Sequence, residues 1–526
     1  MSGLHGSHLI GGEASRQGKE EFFAFDPTTG ARLPTGFVDA TEQETGQAMK
    51  LAREAERPLR VLDSGQRAAF LERIADEIEA LGDVLVETTS RETGLPSQRL
   101  LMERGRTTNQ LRLFSAIVRE GSWVDARIDH AQPDRTPVPK PDLRSIKRAL
   151  GPVVVFGASN FPLAFSVAGG DTASAIAAGC PVVVKAHQAH PATSELTATA
   201  VSKAVAACGL PQGAFSLLQG RRVEVGLGLV AHPFTKAVGF TGSLQGGRAL
   251  FDAAADRPEP IPVYAEMGST NPVFLLPRKV ADGPERLAEA LHASVTLGVG
   301  QFCTNPGVVV TMDDDATQKL LAKLEELTTQ APTAAMLHAG IRTSYDERCR
   351  QLAGVAGVSS VASTQAEAGP CAGRPQVFHV EAATFQQEGT LREEVFGPST
   401  IVVRCKSKDE LLEVARDLSG QLTLTIHATA RDLEEFGELP QLIEERAGRL
   451  VFGGFPTGVE VCPSMHHGGP YPATTDVRST SVGTAAIARF ARPVCFQNWP
   501  SELLPPELQD SNPRGILRIV DGVYQR

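Results

Sequence analysis

The chain lacks the marks of several protein classes. None of its eight cysteines, at positions 180, 208, 303, 349, 371, 405, 462 and 495, stands at the CxxC spacing used by structural zinc sites and dithiol redox motifs. No metal is therefore expected, and reduced thiols fit a cytoplasmic protein. No run of about 18 apolar residues occurs, and the opening "MSGLHGSHLIGGE" has no basic stretch leading into an apolar one. Neither secretion nor a membrane partner is expected. A formal net charge of −10 over 526 residues argues against a broad cationic surface for nucleic acid. Internal repeats, low-complexity tracts, a GxGxxG dinucleotide fingerprint and the Lys-Ser/Thr ending of a P-loop are also missing. Small molecules remain as the expected partners.

What is present is a long globular sequence, 42% hydrophobic and 21% charged, large enough for two or three buried cores. From Asp63 to about Gly94, Ala68, Phe70, Leu71, Ile74, Ile78, Leu81 and Leu85 recur at three- and four-residue steps. That period predicts a helix with Asp63 as its N-cap, and a second helix follows from about Pro96 to Val118. The Pro-rich "DHAQPDRTPVPKPD" then suits a connection or an extended arm. Beyond it come the apolar runs "GPVVVFG", "PVVVK", "FSLLQG", "KAVGFTG" and "VYAEMG", separated by helix-length segments. This alternation predicts βαβ units around a parallel sheet, an α/β fold of the doubly wound, Rossmann type. A second α/β series follows with "NPVFLL", a helix from Pro284 to Val299, "GVVVTM", a helix from about Asp314 to Thr328, "STIVVR" and "RLVFGG".

Ligands of parallel sheets bind beyond the carboxyl ends of the strands, so the residues there carry the candidate chemistry. Ser159, Asn160 and Phe161 follow the first run, Lys185 ends the second, Arg221 and Arg222 lie just past the third, Thr241 to Gly247 follow the fourth, and Glu266 ends the fifth. Each has a plain structural reading beside the functional one. A lysine at a strand end is ordinarily a solvated terminator, and an isolated cysteine such as Cys303 is ordinarily an inert small hydrophobe. The segment "GSLQGG" entering a helix could offer backbone N–H groups to a phosphate.

The ordered set "SNFP", "VVVK", "FTGS", "AEMG", "GQFCTNPG" and "REEVFGP" resembles the aldehyde dehydrogenase superfamily over most of the chain, from Asp63 to beyond Val482. Within it, "MHHGGPYPATTD" and "FARPVCFQNWP" are similar to the branch of α-ketoglutaric semialdehyde dehydrogenases, with features shared by an NADP-dependent fatty aldehyde branch. The resemblance implies a Rossmann-type cofactor domain (1–125 and 148–280), an α/β catalytic domain (281–482), and a small β oligomerisation arm with the C-terminal segment (126–147 and 483–526). It implies a homodimer or homotetramer.

It also implies roles. Cys303 attacks the aldehyde, Asn160 and the Cys303 backbone N–H hold the oxyanion, Glu266 activates water from a pKa tuned upward, and His467 assists the thiol. Lys185 approaches the adenosine ribose, Thr241, Gly242, Ser243 and Gly247 the pyrophosphate, and Glu394 with Phe396 the nicotinamide ribose. Relatives that prefer NAD often have a glutamate where this chain has Gln188. With Arg221 and Arg222 nearby, that substitution implies NADP as cofactor, with NAD as the alternative. Phe161, Phe165 and Phe302 line the substrate tunnel, and Arg104 or Arg106 is a candidate for gripping a substrate carboxylate. The implied reaction is oxidation of 2-oxoglutarate semialdehyde to 2-oxoglutarate, with long-chain or a broad range of aldehydes as the alternative; a non-catalytic scaffold of the same fold is the rival from another class, against which Cys303, Asn160 and Glu266 together speak.

Overall fold

The computed structural model describes residues 4–526. Two seven-stranded sheets dominate the described residues. The first runs in the spatial order Val263–Glu266, Ala237–Thr241, Val153–Phe156, Val182–Lys185 and Phe215–Leu218, all parallel. It ends in the antiparallel pair His8–Ile10 and Glu13–Ser15. Continuous valine runs form its centre because helices cover both faces: Val153, Val154, Val182, Val183 and Val184 are fully buried. Successive strands step outward from Val153–Phe156, and the chain then returns to its other flank at Ala237–Thr241. At that reversal the two strand ends diverge, and a crevice opens between them.

The second sheet has the order Ser359–Ala362, Gln376–Glu381, Ser399–Cys405, Val308–Met312, Val273–Leu275, Gln421–His427 and Ala447–Phe452, parallel except at its first strand. The six residues between Glu266 and Val273 carry the chain directly from one sheet to the other. They are tied in place by Gln421, whose Oε1 accepts from the backbone N–H groups of Thr270 (2.8 Å) and Asn271 (3.2 Å). A five-stranded sheet, ordered Ala491–Gln497, Leu143–Ala149, Arg127–Asp129, Arg518–Val520 and Val523–Gln525, stands apart. A buried ion pair, Arg489 to Asp171 at 2.7 Å, ties the segment entering it to the first sheet's helices. Among the described residues no helix is long and apolar enough to cross a membrane.

The expected elements form, with three differences. The helix from Asp63 to Gly94 is two helices, Ser64–Ala80 and Gly82–Thr93, because Gly82 takes φ +55°. Asp63 does cap the first, accepting from the Gln66 N–H at 2.9 Å. The helix from Pro284 stops at Thr296, short of Val299, because Gly298 and Val299 both take left-handed φ values ahead of the cysteine loop. The N-terminal region contributes the last two strands of the first sheet, the hairpin Glu21–Phe25 with Arg32–Val38, and the helix Glu42–Val61, none of which the polar opening signals.

Candidate active site

Cys303, Glu266 and His467 come from a loop after a helix, from a strand end and from a C-terminal loop, yet their donor atoms all lie within 4.8 Å of one another. His467 Nε2 stands 3.4 Å from Cys303 Sγ and 2.9 Å from Glu266 Oε1. The Ser481 hydroxyl donates to the other oxygen of Glu266 at 2.6 Å. The His467 backbone N–H donates to Thr480 at 2.8 Å, and Ser481 N–H donates to the His467 carbonyl at 2.8 Å. The C-terminal loop is thereby stapled over the thiol. Asn271, held at φ +46°, donates from Nδ2 to the carbonyls of Cys303 (2.8 Å) and Asn305 (3.0 Å). Asn160 donates from Nδ2 to the Gln301 carbonyl at 3.2 Å, so its amide lies against the cysteine loop.

The electrostatics follow from this packing. Burial, then the neighbouring Glu266 charge, pushes the Cys303 thiol well up from its usual range, while the Arg106 cation opposes this. The thiol at rest is protonated and needs a base within reach. Burial also pushes Glu266 upward, but the charge and hydrogen bond of His467 and the Ser481 hydroxyl outweigh it, so Glu266 ends below the usual carboxylate value. The upward tuning expected from the sequence is overturned, because a carboxylate that accepts two buried hydrogen bonds is stabilised as the anion. Glu394, near the same cleft, goes the other way. Burial raises it to about 7, with only a backbone N–H at Ser269 to oppose the rise and Glu266 adding to it.

A cavity of about 760 Å³ occupies the crevice at the strand reversal. Lys185, Gln188, Arg221, Thr241, Gly242, Ser243, Glu394 and Phe396 all line it, with Cys303, Glu266 and Asn160 at one end. Lys185 Nζ lies 3.5 Å from Gln188 Oε1, and burial lowers its pKa to about 8. Gly268 lets Glu394 approach, since a Cβ there would stand 2.7 Å from a Glu394 oxygen. Gly247 does not line the cavity. It faces Met267, whose Cγ and Sδ would lie 2.6 Å from an added Cβ, so the glycine permits close helix–sheet packing there. Arg222 is held by Glu20 and by Asp39 at 3.3 Å, whereas the Arg221 guanidinium reaches Glu20 only at 3.9 Å. A separate cavity of about 630 Å³ near Lys19, Asp39 and His232 shares only Arg222 with this one and holds none of the thiol cluster.

On the far side of the thiol, Phe161 packs edge-on against Phe165 (centroids 5.5 Å apart) and Phe302 (5.6 Å). The three expected tunnel residues therefore form one aromatic wall. Arg106 lies over Phe161 and Phe165, but Arg104 does not join it: Arg104 donates to the Gly82 carbonyl at 2.9 Å, away from the wall. Sequence reasoning missed Arg99, Asn271, Gln421 and Ser481. For Asn271 the signal was present, in the "GSTNP" that joins the sheets. For Ser481 none was, since its partner lies 215 positions away.

A thiol, a carboxylate and an amide gathered at the ends of parallel strands, with a nucleotide-sized crevice opening beside them, are the arrangement of an α/β enzyme with a thiol nucleophile. The chain belongs to the aldehyde dehydrogenase family, whose profile it matches over residues 14–460. It is 50% identical over 520 residues to alpha-ketoglutaric semialdehyde dehydrogenase 2 of Azospirillum brasilense, covering 99% of both chains. To alpha-ketoglutaric semialdehyde dehydrogenase of Acinetobacter baylyi it is 47% identical, covering 93% of both. Among solved structures, 1-pyrroline-5-carboxylate dehydrogenase from Thermus with bound NAD shares the fold at a TM-score of 0.78 and 21% identity, covering 93% of this chain and 92% of that one. Like its relatives, this chain is an enzyme that oxidises aldehydes with NAD(P).

Proposed function

We propose that the enzyme oxidises 2-oxoglutarate semialdehyde to 2-oxoglutarate, with NADP preferred, through a covalent intermediate on Cys303. The observation that carries this reading is the 3.4 and 2.9 Å chain from Cys303 Sγ through His467 Nε2 to Glu266 Oε1. The substrate assignment rests on the two semialdehyde dehydrogenases that match nearly the whole chain.

Cys303 loses its proton to the Glu266–His467 pair as its sulfur bonds to the aldehyde carbon. Charge gathers on the former carbonyl oxygen, where the Asn160 amide and the Cys303 N–H act as donors, the side-chain donor contributing roughly 3 to 4 kcal/mol. The nicotinamide cofactor, when bound, accepts the hydride that leaves this carbon. After the pair has passed the thiol's proton to solvent, Glu266 takes a proton from water as the water oxygen bonds to the thioester carbon, and that proton passes to the sulfur as the C–S bond breaks, releasing acid and thiol. Lys185, Gln188, Arg221, Thr241, Gly242 and Ser243 hold the adenosine and pyrophosphate end of the cofactor, and Glu394 with Phe396 the nicotinamide ribose. Their shared lining of one 760 Å³ crevice supports that placement. Gln188 puts no negative charge beside a 2′-phosphate, and the loosely paired Arg221 supplies a positive one. The five-stranded sheet, with its exposed edge strand Val523–Gln525, is the proposed contact of a cytoplasmic homodimer or homotetramer.

A spectrophotometric panel tests this, with 2-oxoglutarate semialdehyde and C8–C12 alkanals, each with NADP and NAD. Higher kcat/KM on the semialdehyde with NADP is expected, and Cys303→Ala abolishes reduction of either cofactor. Preference for the alkanals sinks the substrate reading, and preference for NAD sinks the cofactor reading. Activity retained in Cys303→Ala removes the nucleophile.

A further inference from the structure

The helix Ser97–Glu120 presents Arg99, Glu103 and Arg106 at spacings of four and three, one face of an α-helix. That face is turned to the aromatic wall beside Cys303. The guanidinium carbon of Arg99 stands 5.1 Å from the Phe161 ring centroid and 5.0 Å from that of Phe302. That of Arg106 stands 5.7 Å from Phe161 and 5.5 Å from Phe165. Phe161 thus carries a cation from each arginine, and the residues next to these rings are Asn160 and Cys303.

Both arginines have N–H groups with no acceptor. Arg106 Nε and Nη2 and Arg99 Nη1 are closed off from solvent and unpaired. Among the described residues neither arginine forms an ion pair within 4.0 Å. Glu103, between them, spends one oxygen on the backbone N–H groups of Leu163 (2.9 Å) and Ala164 (3.0 Å), which ties it to the loop bearing the aromatic wall. Arg99 Nη2 likewise donates to the Asn160 carbonyl at 2.8 Å. Arg106 Nη1 is neither shielded nor hydrogen-bonded, so it is the donor that a ligand carboxylate can reach, in a guanidinium whose charge no ion pair offsets.

We infer that Arg106, assisted by Arg99, forms the site that grips the distal carboxylate of an ω-oxo acid while its aldehyde meets Cys303. The inference deepens the semialdehyde reading and rests on it for the length of the substrate. The two arginines divide the work. Arg106 makes no hydrogen bond to the catalytic loops and acts on the anion, whereas Arg99 also positions Asn160 through its backbone carbonyl.

The test uses the full-length enzyme, a pair of five-carbon aldehydes that differ only at the terminal carbon, a carboxylate in 5-oxopentanoate and a methyl in pentanal, and 2-oxoglutarate semialdehyde. In Arg106→Gln the loss of the cation beside Cys303 slows every aldehyde, and kcat/KM for both oxo acids falls about 10²-fold further than for pentanal, the extra loss appearing chiefly in KM. Arg106→Lys, which keeps the charge and loses the fork, recovers part of that loss. In Arg99→Gln both the charged and the neutral substrate lose kcat. Equal losses on 5-oxopentanoate and pentanal in a folded Arg106→Gln would overturn the inference, even with wild-type turnover of the semialdehyde intact. A wild type that ignores 2-oxoglutarate semialdehyde yet loses 5-oxopentanoate selectively in Arg106→Gln would instead overturn the substrate reading and leave the anion site standing. Should Arg106→Gln fail to fold, Arg106→Lys decides alone, since the inference requires it to weaken the oxo acids more than pentanal.

Discussion

Two carboxylates face the same crevice and behave oppositely. Glu266 is held below its ordinary range by His467 and Ser481, and Glu394 rises to about 7 with one backbone donor. Glu266 is buried and Glu394 only partly so, yet Glu394 has the higher pKa, so burial alone does not explain the difference. The difference is the number of donors aimed at each carboxylate. At the thiol, anionic character is fixed in advance, which suits a group that must receive protons. At the cofactor end, a carboxyl that is neutral over part of the physiological range can donate a hydrogen bond as well as accept one, which suits contact with a sugar hydroxyl.

Removing the anion at the thiol gives the largest effect expected. In Glu266→Gln the first hydride transfer yields a burst of reduced cofactor near one per active site, and steady turnover then falls by about 10²–10⁴-fold. Stopped-flow absorbance reads both phases. A steady rate near wild type would assign the base elsewhere and end the contrast between the two carboxylates.

Removing only what distinguishes Glu266 gives an intermediate effect. In His467→Gln the carboxylate loses its principal stabilising partner and its pKa rises. The basic form is then populated only at higher pH, so the acidic limb of the kcat/KM profile moves upward. An unmoved limb would mean that the Ser481 hydroxyl and the Cys303 thiol suffice to hold Glu266 down.

The smallest effect concerns Glu394 and stability. Its folded pKa lies above the ordinary 4.5, so between 4.5 and about 7 the folded state binds more protons than the unfolded one. Stability from this group is therefore present at low pH and lost as pH rises through about 7. Buried Glu92 is also raised to about 7 and gives the same slope, so Glu394→Gln flattens only part of the fall in Tm across that window. An unchanged slope would mean that Glu394 titrates as an exposed carboxylate, and the two regions would no longer differ.

Much of this was legible in advance. Valine runs flanked by glycine mark strands buried on both faces, and ligands of parallel sheets gather at the strand ends, so Asn160, Lys185, Thr241 and Glu266 could be picked out one by one. At Gly247 a glycine needed for approach to a phosphate and a glycine needed for approach to Met267 look alike in sequence, and only the packing brings out the second. The arginines show a related limit. The helical period places 99, 103 and 106 on one face, but only packing shows that Arg104, two residues from Arg106, is tethered to Gly82 instead.

The sequence by itself determined the alternation of strands and helices, the parallel sheets and the roster of chemistry-bearing residues, because these follow from periodicity and local turn chemistry. The tertiary structure alone decided which carboxylate is anionic, why the thiol rests protonated and which guanidiniums are left unpaired. Those properties depend on through-space distances of a few ångströms between groups up to 215 residues apart, and on the exclusion of water around them.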